Sequence, residues 1–240
     1  MNYSHRYAMK LNSSMVINEE KYDITLDKDK VYVLRFDGVH MTKNFLGKQE
    51  FKIPFLKTMS QTLSLVMNEH KELKFAYSYS DEISIVLEDT ILEKYEYRLE
   101  KIISIFTSEL SMAFFKSAQE QMLPLGGKLR SFDCRIIELE DINELKKYFI
   151  SRQAFSISCH LARLRYQYLG ANFPDNSDLI IEELLKYGID YYKINKKERY
   201  GIIWANKTLL AAYEFVAATP VLYHQILGDD TRKYVPYKKK

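Results

Sequence analysis

The sequence predicts an α+β fold, a ferredoxin-like βαββαβ core with a helical C-terminal extension. Three observations predict it. Apolar periodicity switches between strand and helix repeats in the order strand, helix, hairpin, long helix, strand across Val31–Leu139. Two strand-like runs flank Ser80-Asp81-Glu82 at a spacing only a tight hairpin allows. Asp37-Gly38, Pro54 and Gly126-Gly127 punctuate the runs where turns and helix starts are needed. In this topology an antiparallel sheet carries helices on one face, and its first strand lies beside its third.

Residues 1–30 are polar and mixed and read as a lead-in. Val31–Phe36 is β-branched and aromatic and ends abruptly at Asp37-Gly38, which makes it a buried strand with a carboxylate at its tip. His40–Lys48 reads as a loop. Pro54 suits the first turn of a helix, and Phe55, Met59, Leu63, Val66 and Met67 carry its apolar face to about His70. Leu73–Ser80 and Ile83–Leu87 form the hairpin. A single long helix is expected over Ile91–Ser117, with Leu99, Ile102, Ile103, Phe106, Leu110 and Phe114 inward. After the Pro124 and Gly126-Gly127 turn, Ser131–Leu139 is another strand. Asp141 and Glu144 form a capping box opening a helix that runs toward Tyr168. Leu179–Tyr187 is a short amphipathic helix closed by Gly188. Tyr200–Trp204 is strand-like, and Leu209–Leu227 is apolar without a clear period. The core is expected over 1–140. Residues 141–240 form a helical and mixed extension packed on it, within one continuous domain or as an appendage.

Composition fits a folded chain, with 47% hydrophobic and 28% charged residues in 240 and only 8 glycines and 5 prolines to spend on linkers. A net charge of +3 permits a nucleic-acid partner without demanding one, and the 19 tyrosines serve chiefly in packing, with some available to stack on bases. Cys134 and Cys159 form no CxxC unit and no zinc pattern, so free thiols in a reducing compartment are expected. No run has membrane-spanning length and the N-terminus lacks an apolar signal core, which points to the cytoplasm and to no membrane partner.

If the first and third strands are neighbours, Asp37 and Asp81 meet at one sheet edge. Two carboxylates there repel unless a cation lies between them. Hard Mg²⁺ ions favour such oxygen ligands and leave positions open for phosphates, and a pair of them serves in-line nucleotidyl transfer. Asp-Gly is also an ordinary hairpin dipeptide, so each acid alone reads first as a turn residue, and it is the pair that brings a metal site level with that reading.

At these residues the chain resembles the tRNA-histidine guanylyltransferase family, and within it the tRNA-guanylyltransferase-like branch, over roughly 25–205. Four motifs carry the resemblance in order: Arg35-Phe36-Asp37-Gly38, Tyr79-Ser80-Asp81-Glu82, Phe132-Asp133-Cys134-Arg135 and Tyr148-Phe149-Ile150-Ser151-Arg152-Gln153. It implies a polymerase palm that adds nucleotides to the 5′ end of tRNA or a similar structured RNA in the 3′-5′ direction. The 5′ end is first activated, by ATP when it is a monophosphate, and GTP is the preferred incoming nucleotide. Two Mg²⁺ ions assist, and the family assembles as homo-tetramers. By position, Asp37, Asp81 and the Gly38 carbonyl would be metal ligands and Glu82 a supporting catalytic acid. Ser80, Lys52 and Lys101 would be nucleotide-binding, and Arg152, Arg163 and Arg165 form a basic cluster suited to RNA.

Three departures stand out. Val39 replaces a family arginine, Thr42 replaces a common histidine, and the His-Ile-Asn-Asn motif is absent from Ala154–His160, where His160 reads as a helix-face histidine. The departures favour the like-protein branch over strict tRNA-histidine specificity. They also leave two alternatives, a palm-type nucleotidyl cyclase or cyclic-nucleotide synthase, and a degenerate RNA-binding palm module. The cyclase GGDEF signature is absent.

Overall fold

The computed structural model describes residues 23–205 and 208–211. Most of the N-terminal lead-in, the bulk of Leu209–Leu227 and the terminal lysines lie outside the described residues. The elements follow the expected order: β1 (Val31–Gly38), α1 (Gln49–Glu69), β2 (Phe75–Tyr79), β3 (Glu82–Leu87), α2 (Asp89–Lys94), α3 (Leu99–Glu120), β4 (Phe132–Leu139), α4 (Ile142–Leu164), α5 (Ser177–Lys186), α6 (Lys196–Tyr200), β5 (Ile202–Ala205) and β6 (Thr208–Ala211). The strands form one antiparallel sheet in the order β4-β1-β3-β2-β5-β6, so β1 lies between β3 and β4 as the βαββαβ reading requires.

Alternation along the strands sorts the side chains onto two faces. Tyr32, Leu34, Phe36, Ala76, Ile83, Ile85, Ile202 and Trp204 form one buried cluster with Phe55, Met59 and Leu63 of α1 and Ile102, Phe106, Leu110 and Phe114 of α3. Val33, Phe75, Tyr77, Tyr79, Val86 and Ile203 form another with Leu145 and Phe149 of α4. Helices therefore cover both faces, not the single face expected of the core alone. β2 is buried along its whole length as a result. A third cluster joins Leu161 and Leu164 at the end of α4 to Ile180 and Leu184 of α5.

Local chemistry explains the boundaries. Asp141 caps α4 by accepting from the backbone N–H groups of Asn143 and Glu144, at 2.8 and 2.9 Å, while Glu144 reaches back to the Glu140 N–H at 2.9 Å. α1 begins at Gln49, so Pro54 sits inside the helix and not in its first turn. The hydrogen bond Pro54 forgoes belongs to the carbonyl of exposed Glu50, which water can satisfy. The expected single helix over Ile91–Ser117 is broken. Glu96 and Tyr97 take positive φ, 57° and 58°, and separate α2 from α3. Backbone bonds Leu26 N–H to Tyr97 O (2.8 Å) and Leu99 N–H to Ile24 O (2.9 Å) tie this break to the lead-in, and Tyr95 and Tyr97 turn into the core. Those long-range contacts override local helix propensity.

Candidate active site

Asp37 lies near the end of β1, opposite Glu82 of β3 on one side and Asp133 of β4 on the other. Cross-strand partners share a face, so three carboxylates line one row across the sheet. The next row inward on β4 and β1 holds Arg135 and Arg35, with Ser84 on β3. Only Ser80 and Asp81 separate β2 from β3, and the Gly38 N–H donates to the Asp81 carbonyl at 3.0 Å. A Cβ on Gly38 would stand 3.0 Å from the Asp81 Cβ and 2.6 Å from the Met41 sulfur, so glycine is what lets the hairpin turn close against β1.

The two central acids have opposite surroundings. Asp81 is buried and its carboxylate is fully dressed. The Thr42 N–H donates to Oδ2 at 2.8 Å, the Thr42 hydroxyl stands 2.6 Å from both oxygens, and the Ser80 hydroxyl donates to Oδ1 at 2.9 Å. Asp37 is exposed at its tip, and among the described residues no donor reaches its carboxylate. Burial on its sheet side raises its pKa above the ordinary aspartate value, and the charges of Asp81, Asp133 and Glu82 raise it further. Ser80 holds φ at +59° in the first central position of the hairpin, which glycine normally fills.

Glu82 is clamped by Arg152 of α4. Nε donates to Oε1 at 2.9 Å and Nη2 to Oε2, and the guanidinium also lies over the Phe155 ring, 4.6 Å from its centre. Lys52, in the first turn of α1, pairs with Glu198 of α6, which faces buried His160 at 3.4 Å. Burial works to raise the Glu198 pKa, but hydrogen bonds from His160 and Lys52 outweigh it and leave the carboxyl below its ordinary value. His160 is thus a buried contact of this ion cluster and not a bare helix-face residue. Arg163 lines a small recess with Lys52, Ser80, Lys197 and Glu198. Beside it opens a cleft of about 640 Å³ that runs from Ser80 past Ser60, Gln61, Asn195 and Lys197, over apolar Ile53, Leu56 and Ile202. Its volume falls in the range of small-molecule sites.

Two expected site residues stand elsewhere. Lys101 is in the first turn of α3, half-buried and paired with Glu96 at 3.4 Å. β3 leaves the acidic turn, so α3 starts at the opposite end of the sheet and only its C-terminal end, at Gln121, returns to the cleft. About twenty residues at ~1.5 Å rise put Lys101 roughly 30 Å away. Arg165 points to the loop after α4, where Nη1 donates to the Phe173 carbonyl at 3.0 Å. The sequence reading missed Glu198 and Thr42 as members of the site. The Lys196-Lys197 pair before β5 was the one local signal for Glu198 and its neighbours.

Mg²⁺ fits the donor set. The candidates are two carboxylates and a carbonyl, all hard oxygens, and the raised Asp37 carboxyl is what a cation would settle. Among the described residues no three His, Cys, Asp or Glu side chains are grouped to hold a metal. An ion held by the candidate groups would need several water or substrate ligands besides them, as Mg²⁺ commonly has. No described helix is long and apolar enough to cross a membrane.

Comparison with known proteins bears on the family and the fold. The family model described as tRNAHis guanylyltransferase, Thg1, matches residues 13–140, which takes in the first three motifs and stops before Tyr148–Gln153. The tRNA(His) guanylyltransferase of Schizosaccharomyces pombe is 33% identical over 137 residues, 55% of this chain and 50% of that protein. That of Debaryomyces hansenii is 29% identical over 144 residues, 57% of this chain and 52% of that protein. The chain thus spans about half the length of these curated relatives. A bacterial tRNA(His) guanylyltransferase (Thg1)-like protein in complex with ATP superposes with a TM-score of 0.67 at 24% identity, covering 80% of this chain and 85% of the other. The Saccharomyces cerevisiae tRNA(His) guanylyltransferase gives 0.63 at 18%, over 82% and 94%. At such identities the structural likeness bears on the fold, while the family match, 13–140 of 240 residues, bears on descent. The chain belongs to the tRNAHis guanylyltransferase family, Thg1.

Proposed function

We propose that this chain is a nucleotidyltransferase that adds nucleotides, GTP preferred, to the 5′ end of tRNA or a similar structured RNA in the 3′-5′ direction. The observation that carries the reading is the meeting of Asp37 and Asp81 at one sheet edge, with Ser80 leading from them into a nucleotide-sized cleft. ATP and GTP are the expected substrates, in keeping with the nucleotide complex of the bacterial relative. The RNA 5′ phosphate first attacks a nucleoside triphosphate and releases pyrophosphate. The 3′-hydroxyl oxygen of the incoming nucleotide then attacks the activated 5′ phosphorus and displaces the nucleoside monophosphate, while the hydroxyl proton leaves to solvent.

Asp37, Asp81 and the Gly38 carbonyl would hold two Mg²⁺ ions, which supply Lewis-acid stabilisation of charge on the attacking and leaving oxygens. The protein's own groups do the rest. Asp81 is preset by Thr42 and Ser80. Lys52 exchanges Glu198 for a phosphate and offsets its charge. Glu82, held by both its oxygens, adds negative field beside Asp37 and is braced against swinging into the site. Arg163 offers a cation at the recess mouth for the RNA backbone or the triphosphate. The core, 1–140, brings the acids, and the extension closes the cleft.

The test is incubation with 5′-truncated tRNAs, ATP, GTP and Mg²⁺, with Asp37→Ala as control. Extension that the control abolishes is expected. Absence of 5′ extension on every tRNA tried would overturn the proposal, and a cyclic product from triphosphates without RNA would replace it with a cyclase.

A further inference from the structure

The Asp81 carboxylate is held chiefly by one residue of the turn after β1. Thr42 opens the turn after β1, and both its backbone N–H and its hydroxyl reach Asp81, at 2.8 and 2.6 Å. The hydroxyl distance is that of an O–H donating to an ionised carboxylate. Ser80 supplies the third donor at 2.9 Å and stands 3.4 Å from the Thr42 hydroxyl, so the two hydroxyls bracket one carboxylate. A carboxylate has about four acceptor positions. Thr42 and Ser80 fill most of them, which fixes the plane of the group and leaves little freedom for how Asp81 meets a cation.

We infer that Thr42 is a positioning residue that sets the orientation of Asp81 for divalent-cation binding. The inference rests on the proposed metal role of Asp37 and Asp81. Thr42 is exposed and begins a short turn, so its side chain contributes little to the core. Its hydroxyl has a directed job that neither burial nor secondary structure requires. Removing groups that orient a metal ligand commonly costs 10–100-fold in metal affinity.

The experiment is direct titration of the full chain with Mn²⁺ alone, read by the electron paramagnetic resonance signal of the free ion. Wild type, Thr42→Val, Thr42→Ser and Asp37→Ala are compared, with thermal unfolding of each. Thr42→Val keeps shape and backbone N–H but loses the hydroxyl. It is expected to bind Mn²⁺ roughly tenfold more weakly and to melt somewhat lower, because buried Asp81 loses one donor; Thr42→Ser is expected to restore both. Wild-type binding that Asp37→Ala abolishes but Thr42→Val leaves unchanged or tighter overturns the role of Thr42 and leaves the metal reading standing. Wild-type binding absent, or unaffected by Asp37→Ala, overturns both.

Discussion

Replacing Arg152 with alanine removes the clamp by which α4 grips the hairpin turn, and its cost can be worked from the geometry. Two charge-assisted hydrogen bonds join Arg152 to Glu82, with side chains only 18% and 19% exposed. A hydrogen bond to a charged group contributes about 1.5–3 kcal/mol, and stripping one partner from a fully buried pair costs ~3–5 kcal/mol. About one-fifth exposure lets water recover part of that, so Arg152→Ala should destabilise by about 2–3 kcal/mol. Glu82→Gln in the same background removes the stranded charge. The double-mutant cycle should therefore return a coupling of about 2 kcal/mol, within the range seen for residues in one network. Urea unfolding of the four proteins measures it, and the loss should persist in high salt, because a largely buried pair is poorly screened. A single-variant loss below ~1 kcal/mol with coupling near zero would refute the clamp. Arg152 would then be free for RNA, and its removal would show as weaker RNA binding at unchanged stability.

Gly201 holds φ at +82°, and a Cβ there would stand 2.4 Å from the Ser78 carbonyl oxygen. Gly201→Ala should therefore lose ~3 kcal/mol or more in thermal unfolding, well beyond the ~1–2 kcal/mol of left-handed backbone alone; Gly126→Ala, at +64° with nothing within 4 Å, should show only the smaller loss. Burial lowers the His160 pKa from its ordinary 6.5, against the opposing pull of Glu198. The unfolded chain binds that proton first, so stability is full above pH 6.5 and declines as pH falls toward the folded pKa; His160→Gln should flatten stability over that window in unfolding titrations. Ser80→Gly relieves a strained φ of +59° but deletes a donor to Asp81. It should melt no lower than wild type while extending RNA 5′ ends more slowly, and unchanged extension would refute a role for the hydroxyl.

The meeting of Asp37 and Asp81 was legible because it depends on period and punctuation. Alternating residues set the faces, and a two-residue turn sets the register of β2 on β3. β1 then falls beside β3 by topology. Lys101 was carried over from the family by position alone; the direction of β3 decides which end of the sheet its turn reaches, and sets it far from Asp37 and Asp81. The break at Glu96–Tyr97 was invisible for a different reason. It exists because residues 24–26 dock there, and no local pattern encodes a partner some seventy residues away. Glu198 and His160 lie 38 residues apart and only the wrap of α4 and α6 brings them together. His160 could be read only as a lone histidine on a helix.

Counting partners across the assembled site separates the charges that are settled from those that are not. Arg152 answers Glu82, Glu198 answers Lys52, and hydroxyl and amide donors answer Asp81. Asp37 is left with the exposed tip, the raised pKa and three carboxylate neighbours. A fold selected for stability alone would gain by replacing it with asparagine, which keeps the shape and sheds the repulsion. Keeping an ionisable group there makes physical sense when something outside the chain supplies the missing positive charge. The same reasoning gives Lys52 a second partner. An ion pair at the mouth of a cleft is already satisfied, so a phosphate entering there must outbid Glu198. On the proposed function, a ligand that also engaged the Asp37 side would gain enough to do so, which would tie triphosphate binding to cation binding within one site.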